Sequence, residues 1–263
     1  MGDIHYRQDW LSLEAMFREE ATAAIDRTIG RTATHYQEAV AFAIGRLIEG
    51  RQVGEFFAIR LGRPLCILDV GAGNGGVSSG AANISGHKLH ALDLVPNSTL
   101  RSLTVRTRLP IRQVIGGGHA IPYQDNTFDV VFCLETLEHV LDTSALGAEI
   151  IRVLRPGGIC MLTTPARLKY LFRADPHFGI HGLLLLPDFL QRFVAVNVLR
   201  RVPSALYDVV HIFWTLRGVT EIFPGHNEIE PLFNNPEPPG TLWFHFRNLL
   251  WDRILITKGG LSE

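Results

Sequence analysis

Ten residues constrain this chain more than any others: Ile67-Leu68-Asp69-Val70-Gly71-Ala72-Gly73-Asn74-Gly75-Gly76. An apolar run that ends in clustered glycines reads as a buried strand entering a sharp turn. Without Cβ atoms, such a turn lets a ligand approach the backbone. The turn feeds a helix N-terminus, which suits a polar or anionic group. A second apolar run, Leu89 to Leu94, carries Asp93 near its end, where a carboxylate can accept hydrogen bonds from two ribose hydroxyls.

The runs that follow extend the pattern. Ile111 to Ile115, Phe128 to Leu134 and Gly158 to Thr164 read as third, fourth and fifth strands. A helix lies before the fifth, capped by Asp142 or Thr143, with Leu146, Ile150, Val153 and Leu154 on one face and Pro156-Gly157-Gly158 as its stop. Alternation of this kind predicts an α/β fold with a doubly wound, mostly parallel sheet. Before Pro64 the chain is helical in pattern. Val40, Ala43, Ile44, Leu47 and Ile48 share one face, and Gly50 is a plausible stop. After Pro165 the alternation breaks. Arg167 to about Leu216 reads as mostly helical and Gly225 to Gly240 as loop. Trp243 to Phe246 and Arg253 to Thr257 read as two late strands, suited to an antiparallel pair at the sheet edge.

Composition narrows the function classes. The 263 residues carry a formal net charge of −1, so no global footprint for nucleic acid is present, and the local run Arg101, Arg106, Arg108 and Arg112 reads as a solvated face. Three cysteines, Cys66, Cys133 and Cys160, fall in apolar runs and read as buried reduced thiols. The first residues carry no apolar signal-like run, and Tyr6 stands where a myristoylation motif needs Ser or Thr. Ile180 to Leu216 is the most apolar stretch, but Asp188, Arg192, Arg200, Arg201 and Asp208 interrupt it. A cytoplasmic protein is expected.

Gly71, Gly73 and Gly76 with Asp93 also satisfy a nicotinamide-dinucleotide pattern. Other residues favour a different family. Asp69-Val70-Gly71-Ala72-Gly73-Asn74-Gly75 resembles the first motif of the class I, Rossmann-like S-adenosylmethionine-dependent methyltransferases, and dehydrogenases usually place an apolar or small residue where Asp69 stands. Gly118 to Val131, Cys133 to Val140 and Leu154-Arg155-Pro156-Gly157-Gly158 are similar to three further segments of the small-molecule branch, in order. The resemblance covers about Pro64 to Pro165.

The resemblance implies a seven-stranded methyltransferase sheet and S-adenosyl-L-methionine as cofactor. Taken with the helical patterns on either side, the chain reads as N-terminal helices over residues 1–62 and a methyltransferase domain over 63–263, with a helical insert or substrate cap within 167–240. The cofactor neighbours the resemblance implies are Asp69, Gly71, Gly73, Asn74, Gly75, Asp93, Leu94, His119, Ala120, Leu134 and Glu135. Within that set the glycine backbone packs on the methionine part. Asp69 anchors the loop or meets the cofactor's amino group through water. His119 stands where the family usually has an acid, so the adenine contact falls to a ring nitrogen or to the backbone near Ala120.

Methyl transfer is an in-line displacement that depends mainly on alignment, and a base is needed only for a protonated acceptor. His139, His177 and His181 are the candidates, each with a packing role as the simpler alternative. His177 and His181 have helical metal-ligand spacing, but Gly179 and Gly182 disfavour a helix and no Cys or acid completes a set, so no metal is expected. The acceptor reads as a small molecule, a glycan or a lipid-linked intermediate. The apolar insert, residues 169–216, reads as core packing against the sheet edge or as a cap in peripheral contact with membrane, its arginines facing acidic lipid. A nicotinamide-dependent oxidoreductase and a non-catalytic binding protein are the rival functions.

Overall fold

A computed structural model describes residues 4–32, 36–164, 179–200, 215–232 and 253–259. They divide into two compact units, residues 1–117 with 127–132, and residues 118–126 with 133–263.

The first unit is built on parallel strands. β1 (Cys66–Val70) pairs with β2 (Lys88–Asp93) on one side and with β4 (Phe128–Leu134) on the other, and β2 pairs with β3 (Ile111–Ile115). The register sets Asp69 opposite Ala91 and Phe132. Every residue of β4 is buried, which is why its sequence does not alternate and is apolar apart from Asp129, whose carboxylate accepts from Arg63 and from the Cys66 N–H. Strand order through the seven-stranded sheet is β3-β2-β1-β4-β5-β7-β6. The order therefore reverses between β1 and β4, and in such sheets the crevice beyond the strand ends at the reversal is where ligands bind.

Two helices precede the sheet. Asp9 caps α1 (Trp10–Thr28) by accepting from the Ser12 N–H at 3.0 Å, and Leu13, Phe17 and Ala21 form its buried stripe. Its outer carboxylates reach α4 (Ser98–Thr107): Glu20 accepts from Ser102 at 2.6 Å and pairs with Arg106 at 2.8 Å, and Glu19 pairs with Arg106 at 3.0 Å. Arg106, read as part of a solvated face, is thus an inter-helix tie. Residues 5–8 strap the end of α3 (Gly76–Ala82), where the Asn83 amide bonds both the N–H and the carbonyl of Gln8.

The second helix corrects an expectation. α2 spans Tyr36–Leu61 and runs straight through Gly50. Ala43, Ile44 and Leu47 are buried as expected, but Ile48 is exposed, and the buried face continues through Gly50, Val53, Gly54 and Phe57. Gly50 is there for contact. A Cβ on it would lie 2.2 Å from the Val77 carbonyl oxygen, and one on Gly80 would lie 2.2 Å from the Leu47 carbonyl oxygen. The backbones of α2 and α3 touch, and only hydrogen fits between them.

The second unit carries the antiparallel end of the sheet. Asp142 caps α5 (Thr143–Val153), accepting from the Ala145 N–H at 2.8 Å. The helix stops at Val153, earlier than the Pro156-Gly157-Gly158 stop, because Leu154 is already extended and opens β5 (Leu154–Thr163). β7 (Arg253–Lys258) pairs antiparallel with β5 and with β6 (His226–Leu232). The loop reading of 225–240 is therefore wrong for 226–232. Pro231 disguised that strand, yet proline is tolerated in a strand at a sheet edge. The strand read at Trp243 to Phe246 lies outside the described residues. Of the helical insert, the described part holds a 3-10 turn at Leu183–Leu185, α6 (Asp188–Arg192) and a π-helical turn at Phe193–Val198, with Leu183 and Ala195 in a small core of its own. No described helix is long and apolar enough to cross a membrane.

The contact between α2 and α3 makes a differential test. Gly80→Ala should cost about 3 kcal/mol, since overpacking against backbone cannot relax by side-chain motion. Gly45→Ala, at an exposed position of α2 where a Cβ meets open space, should stabilise by about 0.5–1 kcal/mol. Urea denaturation of both variants reads the difference, and equal effects would contradict the packing described.

Candidate functional site

The turn after β1 is shaped by left-handed backbone. Gly71, Gly73 and Gly75 have φ of +74°, +52° and +78°, a region that side-chain-bearing residues rarely adopt. The turn meets the end of β2: Gly71 and Ala72 both donate to the Leu92 carbonyl, at 2.9 and 3.1 Å. Gly73 donates its N–H to Asp93 Oδ2 at 2.8 Å, and Asp93 Oδ1 accepts from the Val95 N–H at 3.3 Å. The structure thus brings together the glycines and the acid that the sequence singled out twenty residues apart.

The donors of the turn are mostly used within it. Gly75 N–H bonds the Ala72 carbonyl at 2.8 Å, and Gly76 N–H bonds Asn74 Oδ1 at 2.9 Å. At the start of α3 the Gly76 N–H is therefore taken up by Asn74. Asn74 acts here as a local cap. Gly73 is the exposed residue, and a Cβ there would meet nothing nearer than the Gly71 carbonyl oxygen at 3.9 Å. Beyond Asp93 the chain exposes large apolar side chains at the strand ends, Leu94 at 72%, Val95 at 66% and Ile115 at 62%.

Asp69 sits beneath this surface. It is 2% exposed and accepts from the Ser78 hydroxyl at 2.6 Å, joining the end of β1 to α3. Burial raises its pKa from 3.8 to about 6; the Ser78 hydrogen bond and the charge of Arg46 pull the other way. Of the two roles implied for Asp69, this contact provides the anchor.

In the second unit, His119 and Ala120 are exposed. Their segment is held by α5. The Ile121 N–H donates to Glu149 Oε2 at 2.7 Å. The Arg152 guanidinium donates to the Ile121 carbonyl at 2.9 Å, the Tyr123 carbonyl at 2.7 Å and Asp125 at 2.8 Å while gripping both Glu149 oxygens. Lys258 adds a bond to Asn126 Oδ1 at 2.7 Å. Leu134 is buried at the end of β4, whereas Glu135 is exposed, with φ +54° and its N–H on Thr163 Oγ1 at 2.7 Å. His139 is half-buried in the 3-10 turn Leu137–His139, and His181 is exposed. His177 lies outside the described residues. Among the described residues no group of three His, Cys, Asp or Glu side chains is arranged to hold a metal ion.

Sequence reasoning missed Ser78, Asn97, Glu149, Arg152 and Thr163. Asn97 had a visible signal, since Pro96-Asn97-Ser98 is a helix-start pattern and Asn97 does cap α4, accepting from the Leu100 N–H at 2.9 Å. The others act through contacts set by the fold.

Asp69 yields a pH test. Its folded pKa lies above its unfolded value, so the folded state binds the proton more tightly. Stability from this group is present below pH 3.8 and is lost as pH rises through about 6. The displacement corresponds to about 3 kcal/mol. Asp69→Asn should therefore gain on the parent as pH rises from 4 to 7, read as the difference in Tm, and a pH-independent difference would contradict the buried carboxylate.

Residues 68–162 match the methyltransferase domain family. The chain is 35% identical over 133 residues to a glycine/sarcosine/dimethylglycine N-methyltransferase of Actinopolyspora halophila, covering 49% of this chain and 23% of that protein. It is 31% identical over 157 residues to a dimethylglycine N-methyltransferase of Parasynechococcus marenigrum, covering 57% and 53%. The chain thus spans from about a quarter to about half the length of these curated relatives. In fold it is similar to a Burkholderia thailandensis 1,6-didemethyltoxoflavin-N1-methyltransferase solved with bound 1,6-didemethyltoxoflavin and S-adenosylhomocysteine, at a TM-score of 0.53 and 16% identity over 98% of this chain and 100% of that one. Residues 68–162 thus match the methyltransferase domain family, and the strand order and the glycine turn already described agree with that likeness.

Proposed function

We propose that this chain is a methyltransferase that uses S-adenosyl-L-methionine to methylate a small-molecule acceptor. The observation that carries the reading is the Gly73 N–H bond to Asp93 Oδ2 at 2.8 Å, which sets a bare, exposed glycine beside a carboxylate. The residues fit the cofactor. Asp93 keeps lone pairs for ribose hydroxyls, since each oxygen accepts one backbone N–H. Leu94, Val95 and Ile115 offer an apolar shelf for a purine, and the open Gly73 admits the chain of the amino acid part. Asp69 supports the turn from below through Ser78.

S-adenosylmethionine supplies a methyl group made electrophilic by its sulfonium. The protein's part is orientation and exclusion of water. In the second unit, His119, Ala120, Leu134 and Glu135 belong to the same reading through the sequence resemblance, with the Arg152 and Glu149 grip fixing the segment that follows Ala120. His139, His177 and His181 are proposed bases for an acceptor that must lose a proton. The relatives named for glycine, sarcosine and dimethylglycine make small amines the first acceptor class to test. The free thiols, with Cys133 and Cys160 buried, suit a reducing, cytoplasmic setting.

The described part of the insert supports the membrane reading. Phe189 is 79% exposed and Phe193 55%, and Val198, Leu199 and Arg200 further along the same segment are exposed as well. Exposed phenylalanines and a cation on one segment fit an anionic lipid surface. Vesicles containing phosphatidylglycerol should pull the protein down, and Phe189→Ser with Phe193→Ser should release it. Equal recovery with neutral vesicles or with none removes this part.

Calorimetric titration of the full chain tests the main reading. S-adenosylhomocysteine should bind at one per chain, and NADH should not. Asp93→Ala should weaken binding by at least about 100-fold, the worth of two hydrogen bonds to a charged group at about 1.5 kcal/mol each. Binding of NADH alone would overturn the proposal.

A further inference from the structure

The exposed residue of the cofactor turn is held by polar contacts on both sides. Gly73 has no packing neighbour other than the Gly71 carbonyl oxygen at 3.9 Å from its Cβ position. Two hydrogen bonds set its orientation: its N–H goes to Asp93 at 2.8 Å, and its carbonyl accepts from the side-chain amide of Asn97. The other end of that amide is also in use, accepting from the Leu100 N–H at 2.9 Å to cap α4. Behind it, the Gln113 amide on β3, turned so that both ends are satisfied, donates to the Asn97 carbonyl at 3.2 Å and accepts from the Arg101 N–H at 2.8 Å. One asparagine therefore joins the start of α4 to a turn twenty-four residues earlier in the chain.

We propose that Asn97 is a positioning residue for cofactor binding, acting through its grip on the Gly73 carbonyl. The inference rests on the reading that this turn holds S-adenosylmethionine. A side chain with only a capping role needs an acceptor; Asn97 also supplies a donor, and that donor is spent on the one turn residue without packing. Asparagine meets both needs, because its amide carries a donor and an acceptor on one short arm. Releasing the carbonyl lets the Gly73 peptide rotate, and the ligand must then pay the ordering entropy that the clamp has already removed.

Asn97→Ser separates the two roles. Serine caps a helix about as well as asparagine, but its hydroxyl has no second arm for Gly73. The full-length variant should keep its Tm within about 2 °C while S-adenosylhomocysteine affinity, read by calorimetry, falls by about tenfold. In the ligand-free protein, amide exchange at residues 73–75 should quicken by a similar factor, as expected when local opening becomes easier. With turnover in hand, KM for the cofactor should rise and kcat at saturation should hold. Asn97→Ala should lose Tm as well, since it removes the cap.

Parent-like affinity in Asn97→Ser overturns the inference. So does an affinity loss that comes with the same Tm drop as Asn97→Ala. If the parent itself does not bind S-adenosylhomocysteine, the functional reading fails instead, and the exchange rates of the unliganded proteins still decide whether Asn97 clamps the turn.

Discussion

The backbone contact between α2 and α3 is the constraint on which the first unit depends. α3 follows the glycine turn directly, and all seven of its residues are buried. Its sequence, GVSSGAA, has almost no side-chain bulk, so the helix can be covered only by another backbone. Gly50, Gly54 and Gly80 let α2 supply that cover, while Phe57 and Phe132 pack with ring centroids 5.9 Å apart. Removing a Cβ weakens a helix intrinsically. Here that loss is offset by burial, and the turn at the N-terminus of α3 gains a fixed support.

Polar residues then orient the turn from two sides. Asp69 holds α3 to the end of β1 from below, through Ser78. Asp93 and Asn97 hold Gly73 from the side of β2 and α4. The division of labour follows from exposure. The buried carboxylate is costly to ionise and does structural work. The half-exposed one, Asp93, lies at the surface of the turn and can face a ligand.

The second unit uses a different device for the same purpose. Residues 121–125 contain no regular structure, and their carbonyls are collected by the Arg152 guanidinium, which Glu149 fixes from the same helix. A planar fork with five donors can satisfy several acceptors at once, so a loop without regular structure is given one shape. His119 and Ala120 precede that fixed stretch.

Much of the fold was legible because burial leaves local marks. Apolar runs closed by glycine or proline marked β1 to β5 and β7, and the order of glycines and acids marked the turn and Asp93. What escaped notice had nonlocal causes. Ile48 matched the helical stripe, yet the partner that α2 meets is narrow, and the buried face turns toward the glycines instead. Pro231 hid β6, because a strand's tolerance for proline depends on its place at the edge. Ser78, Asn97 and Thr163 carry no pattern that announces their partners at Asp69, Gly73 and Glu135. The sequence by itself determined which segments are strands and where a turn could expose bare backbone, since these follow from side-chain volume and hydrophobicity along the chain. Only the tertiary structure decided which polar groups hold that turn, because a hydrogen bond spanning nine to twenty-eight residues exists only where the folded chain returns to meet itself.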